Sequence, residues 1–148
     1  LVEAYDLDNG ATDSKLANIS TRGFVQTGDN VMIGGFILGG GGGGIAQVIV
    51  RGIGPSLAND VSDVLADPFI EVFDQDGNSL ASNDNWMDDP NMQTVQDQSL
   101  APSDPNESAL YDVLPAGAYT VILSGVGTTS GVGLVEAYDI DGAMALSQ

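Results

Sequence analysis

The sequence predicts an all-β domain, a β-sandwich of jelly-roll or Ig-like type with eight to nine strands. Its apolar residues come in short runs rich in Val, Ile, Tyr and Phe, which Gly, Pro, Asn and Asp separate. The acidic residues are mostly aspartate, 17 Asp against 4 Glu, and aspartate disfavours helix and favours turns. A chain of 148 residues without an internal linker fits a single module, residues 1–148.

The apolar runs give nine candidate strands, which are residues 16–20, 24–25, 30–38, 46–53, 69–74, 79–82, 109–114, 118–124 and 132–140. Helix is expected to be at most a turn or two, within residues 55–65, where Leu57, Val61, Val64 and Leu65 fall near helical spacing. Residues 39–44 are six consecutive glycines, which we expect to form a flexible hairpin loop. A glycine surface against which another backbone packs closely is the alternative.

The composition excludes several classes of function. The chain has 21 acidic and 3 basic residues, a net charge of −18, and neither histidine nor cysteine. Disulfides, zinc sites built from Cys or His, and Ser-His-Asp catalysis are therefore excluded within it. So few cations disfavour nucleic acid, and no apolar run reaches the ~18 residues of a membrane span. Carboxylates are too frequent here for any pair of them to indicate hydrolysis, and we expect no enzymatic activity.

An eight-residue segment occurs twice, and it is the most informative feature of the sequence. Residues 1–8 and 134–141 match at seven of eight positions, and the eighth pairs Leu7 with Ile140. A weaker third copy lies at residues 71–77. A strand repeated at nearly whole-chain spacing is typical of one period of a tandem array.

We therefore expect the repeated segment to join copies of the module head to tail by β-strand addition. The predicted subunit-interface residues are Leu1, Val2, Glu3, Ala4, Tyr5, Leu134, Val135, Ala137 and Tyr138. Two alternatives stay open. Both copies can lie in the same sandwich, for example as neighbouring edge strands, or the ends of the sequence can simply cut a covalent array.

Acidic turn residues in the middle of the chain predict a calcium site. The candidate ligands carry carboxylate or amide oxygens within a few residues of one another, and they are Asp74, Asp76, Asn78, Asp84, Asp88 and Asp89. Calcium takes six to eight such hard oxygen ligands. The pattern is not an EF-hand, because Gly77 comes at the fourth loop position and no Glu closes the loop. A solvated cluster of Asp and Asn turns is the alternative.

Two bacterial families resemble this chain. Thr-Gly-Asp-Asn (27–30), Ile-Gly-Gly-Phe-Ile (33–37), the glycine run, Val-Arg-Gly-Ile-Gly-Pro-Ser-Leu (50–57) and Ser-Asn-Asp-Asn-Trp (82–86) resemble glycine-rich β-repeat domains of very large secreted or surface proteins. Residues 69–125 are also similar to pre-peptidase C-terminal domains, through Asp-x-Asp-Gly-Asn (74–78) and Leu-Pro-Ala-Gly-Ala-Tyr-Thr-Val (114–121). The resemblance implies a β-sandwich that is secreted or on the cell surface; the second family implies calcium and collagen or glycan binding.

Two functions follow as expectations. The leading one is a structural subunit of an extracellular bacterial filament, stalk or adhesin whose partners are copies of itself. The alternative is a calcium-stabilised collagen- or glycan-binding module of a secreted protein. Its candidate contact is Trp86 in the polar loop 82–108, although aromatic residues more often belong to a core.

Overall fold

The computed structural model describes residues 18–39 and 44–141, and these form two antiparallel sheets of four strands each. The strands are β1 (Asn18–Val25), β2 (Met32–Leu38), β3 (Ile45–Ile53), β4 (Pro68–Phe73), β5 (Ser79–Asn83), β6 (Ser108–Pro115), β7 (Gly117–Gly125) and β8 (Gly131–Asp139). The helical elements are the 3₁₀ turns Pro55–Asn59 and Trp86–Asp88 and the short helix α1 (Met92–Asp97).

The order of the strands is that of an eight-stranded jelly roll. One sheet runs β1-β8-β3-β6 and the other β2-β7-β4-β5, so that consecutive strands alternate between the sheets over most of the chain. The predicted β-sandwich is thus confirmed, and of the two predicted types the topology is the jelly roll.

The main core lies between the two sheets. Alternate residues of the inner strands point into it, as the period of two predicts, and Val50, Ile70, Val121 and Leu123 are almost completely buried there. Glycine lets the sheets approach at one point, because a Cβ on Gly52 would overlap the side chain of Ile70.

A second, smaller core lies on the outer face of the β1-β8-β3-β6 sheet. The segment between β5 and β6 folds back over this face with its two helical turns. Trp86 and Val95 from that segment pack against Ile49, Ala109 and Ile140. The sheet is therefore buried on both faces where β3 and β6 run, which explains why β3 is apolar along most of its length.

Three local expectations were wrong. Residues 39–44 do not close a hairpin, because β2 pairs with β7 while β3 lies in the other sheet, and the glycines connect the two sheets. Residues 16–20 and 24–25 were expected as separate strands, but β1 continues from Asn18 through Gly23 to Val25. Helix was expected only within residues 55–65, where a 3₁₀ turn does lie and ends at Asn59, but α1 lies outside that range; Val64 forms a bridge with Val132.

We expect Gly54→Ala to destabilise the sandwich by about 2 kcal/mol. An added Cβ at this position would overlap the backbone carbonyl of Leu65, which has no freedom to move away. Chemical denaturation of the two proteins gives the difference in the free energy of unfolding. The matched control is Gly35→Ala, whose Cβ would lie 3.6 Å from the carbonyl oxygen of Tyr119. Equal stabilities of the two variants would contradict the prediction.

Candidate assembly interface

The described copy of the repeated segment is a central strand. β8 pairs with β1 along all but its last residue, from Gly131 opposite Val25 to Tyr138 opposite Asn18. On its other side it pairs with β3, from Leu134 opposite Ile53 to Asp139 opposite Val48. Both rows of backbone hydrogen-bonding groups of β8 are therefore used within the sandwich.

Each face of β8 meets a different environment, and the repeated motif matches both. Val135 and Ala137 point into the main core and are 4% and 6% exposed. Glu136 and Tyr138 point to the outer face, where Ile140 follows them into the second core. The sequence Leu-Val-Glu-Ala-Tyr-Asp-Ile-Asp thus carries apolar side chains for one face and a polar pair for the other.

Arg51 on β3 binds the polar pair. Its guanidinium donates from Nε to Glu136 Oε2 at 2.9 Å and forms an ion pair with the same carboxylate through Nη2. It also lies over the ring of Tyr138, 5.2 Å from the ring centre, and donates from Nη1 to the carbonyl oxygen of Leu100 at 2.8 Å. Arg51 therefore fixes β8, β3 and the covering loop at one point.

The Tyr138 hydroxyl completes this network. It donates to Glu136 Oε1 at 3.0 Å. Burial raises the pKa of Tyr138, an effect that the positive charge of Arg51 opposes and the negative charge of Glu136 adds to. The phenol therefore stays protonated and remains a donor at neutral pH.

The other predicted interface residues, Leu1, Val2, Glu3, Ala4 and Tyr5, lie outside the described residues. Directly beside β8 no place is left for another strand, because β1 and β3 fill both. Both copies lying in one sandwich at other positions stays an alternative. A second copy of the segment can occupy the β8 position only in a sandwich from which that sandwich's own β8 is absent.

The six predicted calcium ligands fall into two groups. Asp74, Asp76 and Asn78 form the turn between β4 and β5, whereas Asp84, Asp88 and Asp89 follow the far end of β5. A strand of five residues, about 17 Å long, therefore separates the groups. Within residues 18–39 and 44–141, no three acidic side chains are grouped as metal ligands would be.

Hydrogen bonds within the first turn already occupy the Asp74 carboxylate. Its Oδ1 accepts from the backbone N–H groups of Asp76 and Asn78 at 2.9 and 2.8 Å, and its Oδ2 accepts from Asn78 Nδ2 at 2.8 Å. These bonds, led by the one from the Asn78 side chain, lower the pKa of Asp74. At the second group, burial raises the pKa of Asp89, although its bond from the Asn91 N–H opposes the shift. Calcium stays a prediction.

Trp86 lies in the second core. Its side chain is 5% exposed and packs with Ile49 and Val95, so its ring presents no platform on the surface. The polar composition of loop 82–108 predicted an exposed ring, but the loop folds onto the sheet and covers it. The indole Nε1 is buried without a hydrogen-bond partner among the described residues.

Sequence reasoning missed the carboxylate that anchors this covering loop. Glu107 is fully buried, and its Oε1 accepts from the N–H groups of Gly54 and Ser56 at 2.9 and 2.8 Å. Its Oε2 accepts from the Ser56 hydroxyl at 2.6 Å, and its backbone carbonyl accepts from Trp86 N–H at 2.9 Å. Because the chain has 21 acidic residues, nothing in the local sequence distinguishes Glu107.

Comparisons with known proteins add no family to these observations. No family model, curated protein or solved structure matches the chain. In the part of the chain that the structure describes, no helix combines the length and the hydropathy that crossing a membrane would require.

We expect Arg51→Met to reduce the free energy of unfolding by about 3 kcal/mol, because it leaves the largely buried Glu136 carboxylate without its cation. Urea denaturation measures the loss. Arg22→Met is the matched control, since Arg22 is exposed on the edge strand β1 and its replacement should change stability by less than about 0.5 kcal/mol. Similar losses in both variants would show that net charge, and not the Arg51 network, accounts for the effect.

The calcium hypothesis predicts a melting temperature that is higher in calcium than in chelator. At a calcium concentration 100 times the dissociation constant, the gain is about 2.7 kcal/mol. Magnesium at the same ionic strength is the control, because any divalent cation screens a net charge of −18. A melting temperature that does not differ between calcium, magnesium and chelator would contradict a specific site.

Proposed function

We propose that this chain is a structural module of an extracellular bacterial filament, stalk or adhesin, joined in series to copies of itself. The observation that carries the proposal is the second copy of the β8 sequence at residues 1–8. We propose that this segment completes the sandwich of a neighbouring copy, where it lies between that copy's β1 and β3.

The chemistry of residues 1–8 supports this assignment position by position. Val2 and Ala4 correspond to Val135 and Ala137, which face the main core. The one difference, Leu7 for Ile140, keeps the volume of an apolar side chain that packs in the second core. The segment has therefore kept what both faces of the β8 position require.

The polar pair of the second segment needs an arginine partner of its own. Glu3 and Tyr5 correspond to Glu136 and Tyr138, which engage Arg51. The chain has three basic residues in total, and Arg51 is already bound by its own β8. A second Glu-Ala-Tyr of this kind binds an equivalent arginine only in another copy whose own β8 has left its place.

The charge of the chain is compatible with this function. A net charge of −18 opposes non-specific association of modules side by side. Contacts between copies therefore depend on specific pairing of strands. Among the described strands, β1, β6, β2 and β5 are the edges of the sheets. A donated strand that lies in the centre of a sheet uses none of these edges.

Assembly of the full chain tests the proposal. We expect protein refolded from denaturant at high concentration to form oligomers in multiples of 15.2 kDa, because residues 1–8 and 134–141 then compete for each β8 position. Analytical ultracentrifugation gives the masses, and negative-stain electron microscopy shows whether the oligomers are linear.

Ala4→Asp should abolish these oligomers and leave a folded monomer, since a carboxylate at the position of the buried Ala137 blocks the donated strand alone. Thr12→Asp is the matched control, with the same added charge outside the repeated segment. Monodisperse single modules of the unaltered chain, or oligomers that survive Ala4→Asp, would overturn the proposal.

A further inference from the structure

β2 is an edge strand that is paired on one side only. It pairs with β7 through residues 32–38, and among the described strands none lies on its other side. The backbone groups of an edge strand form a row on which the strand of another molecule can pair. Edge strands of natural sheets usually carry features that prevent such pairing.

The other three edges of the described sheets have these features. β1 contains a charged residue, Arg22, whereas β6 contains Asp112 and ends at Pro115. β5 has only five residues, and its register with β4 shifts between Val72 and Phe73. β2 has seven residues, no charge, no proline and an unbroken register. Among the described edges, β2 is therefore the one that is open to a partner strand.

Two isoleucines of β2 point away from the main core. Phe36 and Leu38 pack against that core, and the alternation of the strand places Ile33 and Ile37 on the outer face of the sheet. Ile33 is 63% exposed and Ile37 is 73% exposed. Gly35 lies midway between them on the same face. The outer face of this edge therefore presents one exposed isoleucine on each side of a glycine.

The sequence around this edge lacks acidic residues. No Asp or Glu occurs in residues 30–59, and β7 carries no charged residue, although the chain has 21 acidic residues. Two copies of a module with a net charge of −18 repel each other where their carboxylates face one another. An approach through β2 places no carboxylate of β2 or β7 at the contact. A second copy can therefore approach this edge at a lower electrostatic cost than an edge that carries acidic residues.

β2 is complementary to β2 of a second copy. An antiparallel pair centred on Gly35 places Ile33 of each copy opposite Ile37 of the other, because each isoleucine is two residues from Gly35. Side chains that lie directly opposite in such a pair have Cβ atoms about 5 Å apart on the same face of the sheet. Both isoleucine pairs are then in contact, and the main-chain groups of the two edges pair with each other.

We infer that two copies of this module associate side by side through β2, antiparallel and about a twofold axis at Gly35. The two four-stranded sheets then form one continuous sheet of eight strands. The inference goes beyond strand donation and does not depend on it, since it uses neither residues 1–8 nor β8. Repulsion between the two net charges opposes this small contact, which therefore strengthens as ionic strength rises. At low ionic strength single modules stay apart.

Disulfide trapping tests the contact and its register together. The chain has no cysteine, so each introduced thiol can be followed alone. Gly35→Cys places two thiols opposite each other at the twofold axis. A Cβ at this position makes only an ordinary contact, 3.6 Å from the carbonyl oxygen of Tyr119. All proteins also carry Ala4→Asp, which blocks the donated strand proposed above, and they are oxidised at high ionic strength.

We expect Gly35→Cys to give a covalent dimer of twice 15.2 kDa. Ile33→Cys alone should cross-link at least about tenfold more slowly, since positions 33 of the two copies lie about 14 Å apart along the pair. A mixture of Ile33→Cys and Ile37→Cys should cross-link faster than either protein alone, because these two positions are opposite each other. Ile37→Glu, added to Gly35→Cys, should slow the reaction because it places a carboxylate opposite Ile33.

The matched control is Ser20→Cys, at an exposed position of the edge strand β1, which measures cross-linking by chance collision. A Gly35→Cys dimer that forms no faster than the Ser20→Cys dimer would overturn the inference. Equal cross-linking at positions 33, 35 and 37 would show apolar association without strand pairing, and it would overturn the inference as well. Either result would leave strand donation standing, because donation is read from oligomer masses at low ionic strength.

Discussion

The ladder that β8 forms with β1 and β3 is the interaction on which the rest of this molecule depends. It joins strands that are far apart in sequence, with β1 and β8 more than 100 residues from each other. Among the strands that the structure describes, β1 has no other partner in its sheet, and Arg51 of β3 binds its carboxylate on β8. Without β8 the sheet would break between β1 and β3, and both cores would open.

Because the sheet depends on β8, the repetition of its sequence is informative. A surface strand can be duplicated without much constraint, because either copy is free to vary. A central strand has to satisfy two ladders, an apolar face and a charged partner at once. Residues 1–8 have kept seven of the eight side chains of such a strand, and this supports the proposal that they complete a second sandwich.

The fold could be predicted from the sequence because its strands follow simple alternation between turn residues. β-Branched and aromatic residues identify strands in runs such as Val48 to Ile53 and Tyr119 to Leu123. The pairing of strands could not be predicted in the same way. The glycines at 39–44 are compatible with a hairpin and with a crossing between sheets, and only the partners of β2 and β3 distinguish the two.

The same limit applied to the candidate site. The repeat identified β8, but Arg51 as its partner could not be found, because the contact spans 85 residues. The burial of Trp86 and the role of Glu107 were missed for a related reason. A loop rich in Asp, Asn and Gln is normally solvated, and its few apolar residues gave no period that would show them folding onto a sheet. The acidic turns were grouped by their closeness in sequence, whereas β5 separates them in space.

The adjacency of Asn18 and Tyr138 also has a consequence for the evolution of this module. A domain whose two ends lie side by side can be placed in a surface loop of an unrelated protein, since the host chain has to bridge a gap of only about 5 Å. A module whose two ends lay at opposite ends of the sandwich would separate the two host residues to which it is joined. This sandwich is therefore suited to insertion into a surface loop of another protein.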